Sequence, residues 1–137
     1  MAPFELKHID RIVLCVRDLA RSLAFYGDVL GCTVENYQRE IGLMQVLAGT
    51  SLIDLVPVDG PLGRKGGSGP GTEGHNVDHF ALEIDPFDAQ TIGAHLCRHG
   101  VAIGEVGTRY GARGDGPSIY INDPDGKTIE LKGPRGG

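Results

Sequence analysis

The chain has 137 residues, 22 of them glycine, and a formal net charge of −5, a length that suits one domain able to bury its own core without a disulfide or metal. The acidic balance excludes the basic stripe of a nucleic-acid binder and any attraction to an anionic membrane surface, and no apolar run approaches membrane-spanning length. The N-terminal Met1 to His8 is no secretory signal, and Cys15, Cys32 and Cys97 match no zinc spacing and cannot all pair within one chain, so the expected location is cytoplasmic, with free thiols.

Residues 9–16 are apolar and largely β-branched and predict a buried strand. Asp18 offers an N-cap, and Leu19, Leu23, Tyr26 and Leu30 recur at helical spacing until Gly31 stops the helix. Strands are expected over about 33–39, 42–48 and 51–57. The glycine- and proline-rich stretch 59–74 is too poor in apolar residues to pack. It reads either as a connector or as a lid in which Arg64 and Lys65 meet an anionic substrate.

The pattern then starts again. Residues 77–84, Val-Asp-His-Phe-Ala-Leu-Glu-Ile, echo 9–16, and Asp85 with Pro86 predicts a capped helix that ends at Gly100. Strands follow near 102–109, 117–122 and 127–132, the last two joined by the turn residues Asp123-Pro124-Asp125-Gly126. Each half therefore reads β-α-β-β-β. The fold class is α+β: two βαβββ modules, at about 7–58 and 75–133, forming a curved eight-stranded mixed sheet.

Duplication makes Arg11 and His79 equivalent, and likewise Asp54 and Glu130, the single acids set between Ile and Leu in the closing strands. Alternation along the first predicted strand puts Arg11, Val13 and Cys15 on one face and His8 on the other. Val13, Cys15, Met44 and Ala81 are the expected cavity walls. An acid in such a strand is costly to bury unless it is paired, protonated or bound to metal. A histidine with carboxylates from other strands makes a nitrogen and oxygen donor set that suits Zn, Ni, Co, Mn or Fe. A lone strand histidine also serves as a hydrogen-bonded core residue, so both roles stay open for His79. His95 and His99 read as a solvated helix face. Arg109, Tyr110 and Arg113 fall in a second glycine-rich stretch, which is either a mobile hairpin or an anion-reading flap.

Residues 9–14, the run Val16 to Tyr26, Val29-Leu30-Gly31, Val77-Asp78-His79-Phe80-Ala81-Leu82 and Asp123-Pro124-Asp125-Gly126 through Ile129-Glu130-Leu131 together resemble the vicinal oxygen chelate superfamily. That superfamily includes glyoxalase, bleomycin-resistance, fosfomycin-resistance and extradiol dioxygenase proteins. The resemblance spans nearly the whole chain and implies a single glyoxalase-like domain over 1–137 and a homodimer. It also implies a small oxygenated substrate and a divalent metal held by His79, Glu130 and Asp54. Glu130 is then the expected catalytic base, and Arg11, Arg109 and Tyr110 the expected substrate contacts. The first-strand ligand, a histidine in glyoxalase-like members, is Arg11 here, which has no lone pair to give a metal. Two functions follow: a glyoxalase-like lyase or isomerase, or a metal-free binding protein of bleomycin-resistance type in which Arg11 pairs with Asp54.

Overall fold

The computed structural model describes residues 2–66 and 77–135. It divides into two compact units, Met1–Gly69 and Pro70–Gly137. The first contains β1 (Arg11–Val16), α1 (Leu19–Ala24), β2 (Thr33–Gln38), β3 (Leu43–Ala48) and β4 (Ser51–Pro57). The second contains β5 (His79–Glu83), α2 (Ala89–Arg98), β6 (Val106–Gly111), β7 (Gly114–Asn122) and β8 (Thr128–Lys132). The eight strands form two four-stranded mixed sheets, in the orders β1-β4-β3-β2 and β5-β8-β7-β6. In each sheet the first and last strands of the module pair in parallel and the other pairs are antiparallel. The duplication in the sequence is thus a duplication of topology, as the βαβββ reading requires.

One face of each sheet is apolar and closed. In the first unit Leu14, Val16, Met44, Val46, Ile53 and Leu55 are buried together with Phe25 and Tyr26 from the helical segment. Ser22, Phe25 and Tyr26 lie at i, i+3 and i+4 and so share the buried face of the helical segment; the two rings meet edge to face at 5.2 Å, and a π-helical turn over Phe25–Val29 follows α1. Met44 pairs in register with Leu55 and so belongs to this closed face, which corrects its expected place on a cavity wall. In the second unit Ile119, Ile121, Ile129 and Leu131 form the corresponding layer, and Leu96 of α2 is buried with them.

Three boundaries differ from expectation for identifiable reasons. Asp88, not Asp85, caps α2: its carboxylate accepts from Gln90 N and Thr91 Oγ1, while Asp85 precedes a cis proline in the connection before the helix. The stretch 104–116 is a hairpin of regular strands, with β6 paired residue for residue to β7. Antiparallel pairing needs backbone groups alone, so its glycines are no obstacle to strand structure here. Finally, β1 pairs with β4 without a bulge and begins at Arg11, so nothing reverses its parity to bring His8 onto the face of Arg11. Residues 67–74 of the supposed lid, and His75, lie outside the described residues.

Candidate functional site

The open face of each sheet carries the polar residues, and register shows which of them are neighbours. In the first unit Asp54 lies opposite Val13 on β1 and Gln45 on β3. Asp54 is nearly fully buried, and both of its oxygens are engaged. Arg11 Nε lies 3.2 Å from Oδ2, and Gln45 Nε2 donates to Oδ1 at 3.1 Å. Asn36 Nδ2 in turn donates to Gln45 Oε1 at 3.2 Å, which fixes the amide so that its N–H₂ faces the carboxylate. Arg11 itself is half exposed and also touches Asp10 at 3.3 Å. A charged acid in this place is well compensated, by one cation and one amide. Each carboxylate oxygen of Asp54, the expected metal ligand, thus already has one protein contact.

In the second unit Glu130 lies opposite Ala81 on β5 and Tyr120 on β7. It too is buried, at 5 % exposure, but its surroundings differ. His79 Nε2 lies 3.5 Å from Oε1, and His79 is its polar partner among the described residues. On the other side of the ring, Asp78 Oδ2 lies 2.8 Å from His79 Nδ1. A carboxylate there calls for a proton on Nδ1 and orients the ring so that Nε2 faces Glu130. Tyr120 packs against the imidazole with ring centroids 5.3 Å apart. The Arg109 guanidinium stacks on Tyr120, 4.4 Å from its ring centre.

Metal fit can be judged from these donors. Two ligands about 2.1 Å from one tetrahedral ion stand about 3.4 Å apart, close to the 3.5 Å between His79 and Glu130. The backing carboxylate on Nδ1 is the outer contact that metal-bound histidines ordinarily make. Among the described residues no group of three or more His, Cys, Asp or Glu is arranged to hold a metal. His79 and Glu130 therefore fit two positions around an ion.

Arg109 lies on the same face as Glu130, but Tyr110 does not. Adjacent strand residues face opposite ways, and Tyr110 is 82 % exposed; the expectation that both reach one site is corrected on that ground. His95 and His99 stack on each other at 4.7 Å on α2, apart from this face. Sequence reasoning missed Asp78, Gln45 and Tyr120. A signal for the first was present, since an acid directly before a strand histidine can reach its ring. Gln45 and Tyr120 became visible only through register, which makes them equivalent positions of the two modules.

Paired βαβββ modules with a polar open face define the class of fold. The chain belongs to the Glyoxalase/Bleomycin resistance protein/Dioxygenase superfamily, whose model matches residues 8–131. It is 31 % identical to the uncharacterized protein YaeR of Escherichia coli over 92 % of this chain and 95 % of that one. It is 30 % identical to virulence protein STM3117 of Salmonella typhimurium, over 92 % of this chain and 83 % of that protein. The crystal structure of STM3117 superimposes with a TM-score of 0.78, covering 96 % of this chain and 99 % of the other at 25 % identity. The fosfomycin resistance protein FosX of Listeria monocytogenes, solved with Mn(II) and sulfate, shares the fold at a TM-score of 0.69 and 18 % identity, over 95 % of this chain and 92 % of FosX.

Proposed function

We propose that this chain is a glyoxalase-like lyase or isomerase that acts on a small oxygenated substrate, with His79 and Glu130 at its chemical centre. The observation that carries the reading is the His79–Glu130 pair with Asp78 behind it. A buried acid with a single histidine partner is an unfavourable arrangement for stability alone, and such departures gather at functional sites. His79 Nε2 and Glu130 would hold a divalent ion of the Zn, Ni, Co, Mn or Fe class, which FosX, solved with Mn(II), makes a natural candidate. Such an ion supplies Lewis acidity that draws electron density from two adjacent substrate oxygens.

The protein's own groups do the rest. Glu130 is the base, accepting a proton from the substrate carbon next to the polarised carbonyl. Asp78 holds His79 in one tautomer. Tyr120 fixes the imidazole plane from the side and supplies the surface on which Arg109 rests. On the open face of the first unit, Arg11, oriented by Asp54, presents its remaining N–H groups to an oxyanion. The site would be housed in a homodimer, because each sheet ends in edge strands and β2 is exposed along its whole length. Light scattering at micromolar concentration should then give twice the chain mass; a monomer would count against this part of the reading.

Elemental analysis of protein purified without chelator tests the metal. On the order of one divalent ion per chain supports the reading, and a fraction below about a tenth, with no uptake on titration, would sink it. The second reading, a metal-free binding protein of bleomycin-resistance type, is favoured by the fully satisfied Arg11–Asp54–Gln45 cluster. Arg11→His separates the two. Metal uptake in this variant alone would mark the wild type as a member whose metal site has been replaced by an ion pair.

A further inference from the structure

A second pair of imidazoles lies on the far side of the second sheet from His79. His95 and His99 belong to the end of α2, whose Leu96 is buried in the closed layer. The sheet therefore stands between them and the open face that carries His79 and Glu130. Their spacing is four residues, which one helical turn brings side by side. The backbone holds that turn to its end. His99 N donates to His95 O at 3.3 Å and to Leu96 O at 3.1 Å, so the winding that aligns the two histidines runs on through His99, although α2 itself stops at Arg98. His95 is half-buried and His99 exposed, so one ring is anchored against the protein and the other is open to solvent.

The rings already stand as a chelating pair would. Their centres are 4.7 Å apart. An ion about 2.1 Å from one nitrogen of each ring would set the centres about 4.6–5.3 Å apart, for N–metal–N angles between square and tetrahedral. The ring planes are tilted by 57°. Ring-nitrogen lone pairs lie in the ring plane; parallel planes never meet, and tilted ones let the two lone pairs converge. Each histidine needs a single nitrogen for the ion and keeps the other for a contact within the protein. The last turn of a helix also carries the negative end of its dipole, which favours a bound cation. Arg98, the other basic residue of this turn, is exposed, and water and salt screen its charge. Cys97 lies two residues from each histidine, about 200° around the helix, and so faces away from the pair. Among the described residues no third His, Cys, Asp or Glu joins them.

We propose that His95 and His99 form a separate metal site, a two-imidazole chelate on the last turn of α2 for a divalent ion of the Cu, Ni or Zn class, with water in the remaining positions. Two nitrogen donors select these ions over Mn, which binds such sites most weakly of the series and favours oxygen. A bound ion ties the end of α2 to its preceding turn and stabilises the helix that brings Leu96 into the core. The site stands independently of the function proposed above, since it shares no residue with the His79–Glu130 pair.

The test is a calorimetric titration with Ni(II) of the untagged full chain carrying His79→Ala, which takes the other centre out of play. Ni(II) is chosen because Cu(II) would also oxidise the exposed Cys97 thiol. One saturable site per chain is expected, weakened at least tenfold by adding His95→Ala or His99→Ala, unchanged by adding Cys97→Ser, and not competed by Mn(II). Saturating Ni(II) should raise the melting temperature of the His79→Ala parent and leave that of His79→Ala with His99→Ala where it was. His99 is exposed, so its replacement leaves the fold intact and a loss of binding there reports on the site. Ni(II) uptake indifferent to both histidines, or lost with Cys97→Ser, would overturn the proposal. So would uptake by the wild type that vanishes in His79→Ala, which would support the other centre while refuting this one.

Discussion

The two modules place an acid at the same point of the same topology and surround it differently. Asp54 and Glu130 sit on the last strand of their modules, each opposite the residue two places after Arg11 or His79. On the antiparallel side the neighbours are Gln45 and Tyr120. In the first module a fixed cation and an amide take up both carboxylate oxygens. In the second a histidine takes one, and an aromatic ring replaces the amide. One copy of the repeat has been closed into a structural pair, and the other sets an imidazole nitrogen and a carboxylate against each other. Duplication fixed the fold, and divergence between copies distributed the chemistry.

The closed faces should behave alike, which sets the baseline for that contrast. Ile53→Ala and Ile129→Ala each remove a fully buried side chain from the centre of a sheet and should each cost about 2–5 kcal/mol in urea unfolding. A cost confined to one of them would mean that the modules do not share a common packing plan. The open faces should then diverge in sign. Asp54→Asn removes a charge that Arg11 and Gln45 are arranged to meet and should destabilise by about 1–2 kcal/mol, less than a fully buried pair because Arg11 is half exposed. Glu130→Gln, measured without metal, should leave stability unchanged or raise it, since it relieves a buried acid of its charge. Equal losses in both would show that the two acids are structural in the same way.

Smaller effects sharpen the picture of burial. Burial pushes the Cys32 thiol above its ordinary pKa, while Cys97 is exposed. Near pH 8 a soluble disulfide reagent should therefore modify Cys97 in the folded protein well before Cys32. Smallest is the cap of α2. The Thr91 hydroxyl, then backbone N–H groups, hold the Asp88 carboxyl below its usual range. A lowered folded-state value stabilises above the ordinary carboxylate range and loses that contribution as pH falls through it. The melting-temperature gap between wild type and Asp88→Ala should shrink on going from about pH 5 to about pH 2; a constant gap would mean the carboxylate charge contributes nothing to the cap.

Much of the fold was legible because its signals are local: apolar runs, helix caps, turn residues and their repetition half a chain later. The grouping of Arg11 with Asp54 and of His79 with Glu130 followed from the repeat and the family resemblance, with strand parity giving the face within each strand. What stayed hidden depended on cross-strand register. Gln45 and Lys132 look like ordinary strand polar residues until their neighbours are known. The hairpin within 104–116 was one of the two expected readings; what stayed hidden is that its missing glycine side chains make room for Lys132 and Arg109. Phe25 was missed because the leucines at 19, 23 and 30 drew the apolar face to one side of Tyr26, whereas the buried stripe runs through Ser22, Phe25 and Tyr26.

The most direct test of the contrast is a Mn(II) titration of the full chain, wild type beside His79→Ala and Arg11→Met, read by the electron spin resonance of the free ion. Uptake by the wild type that is lost in His79→Ala and retained in Arg11→Met is the predicted result. Uptake indifferent to His79, or none in the wild type, would contradict the claim that the second module carries the chemistry.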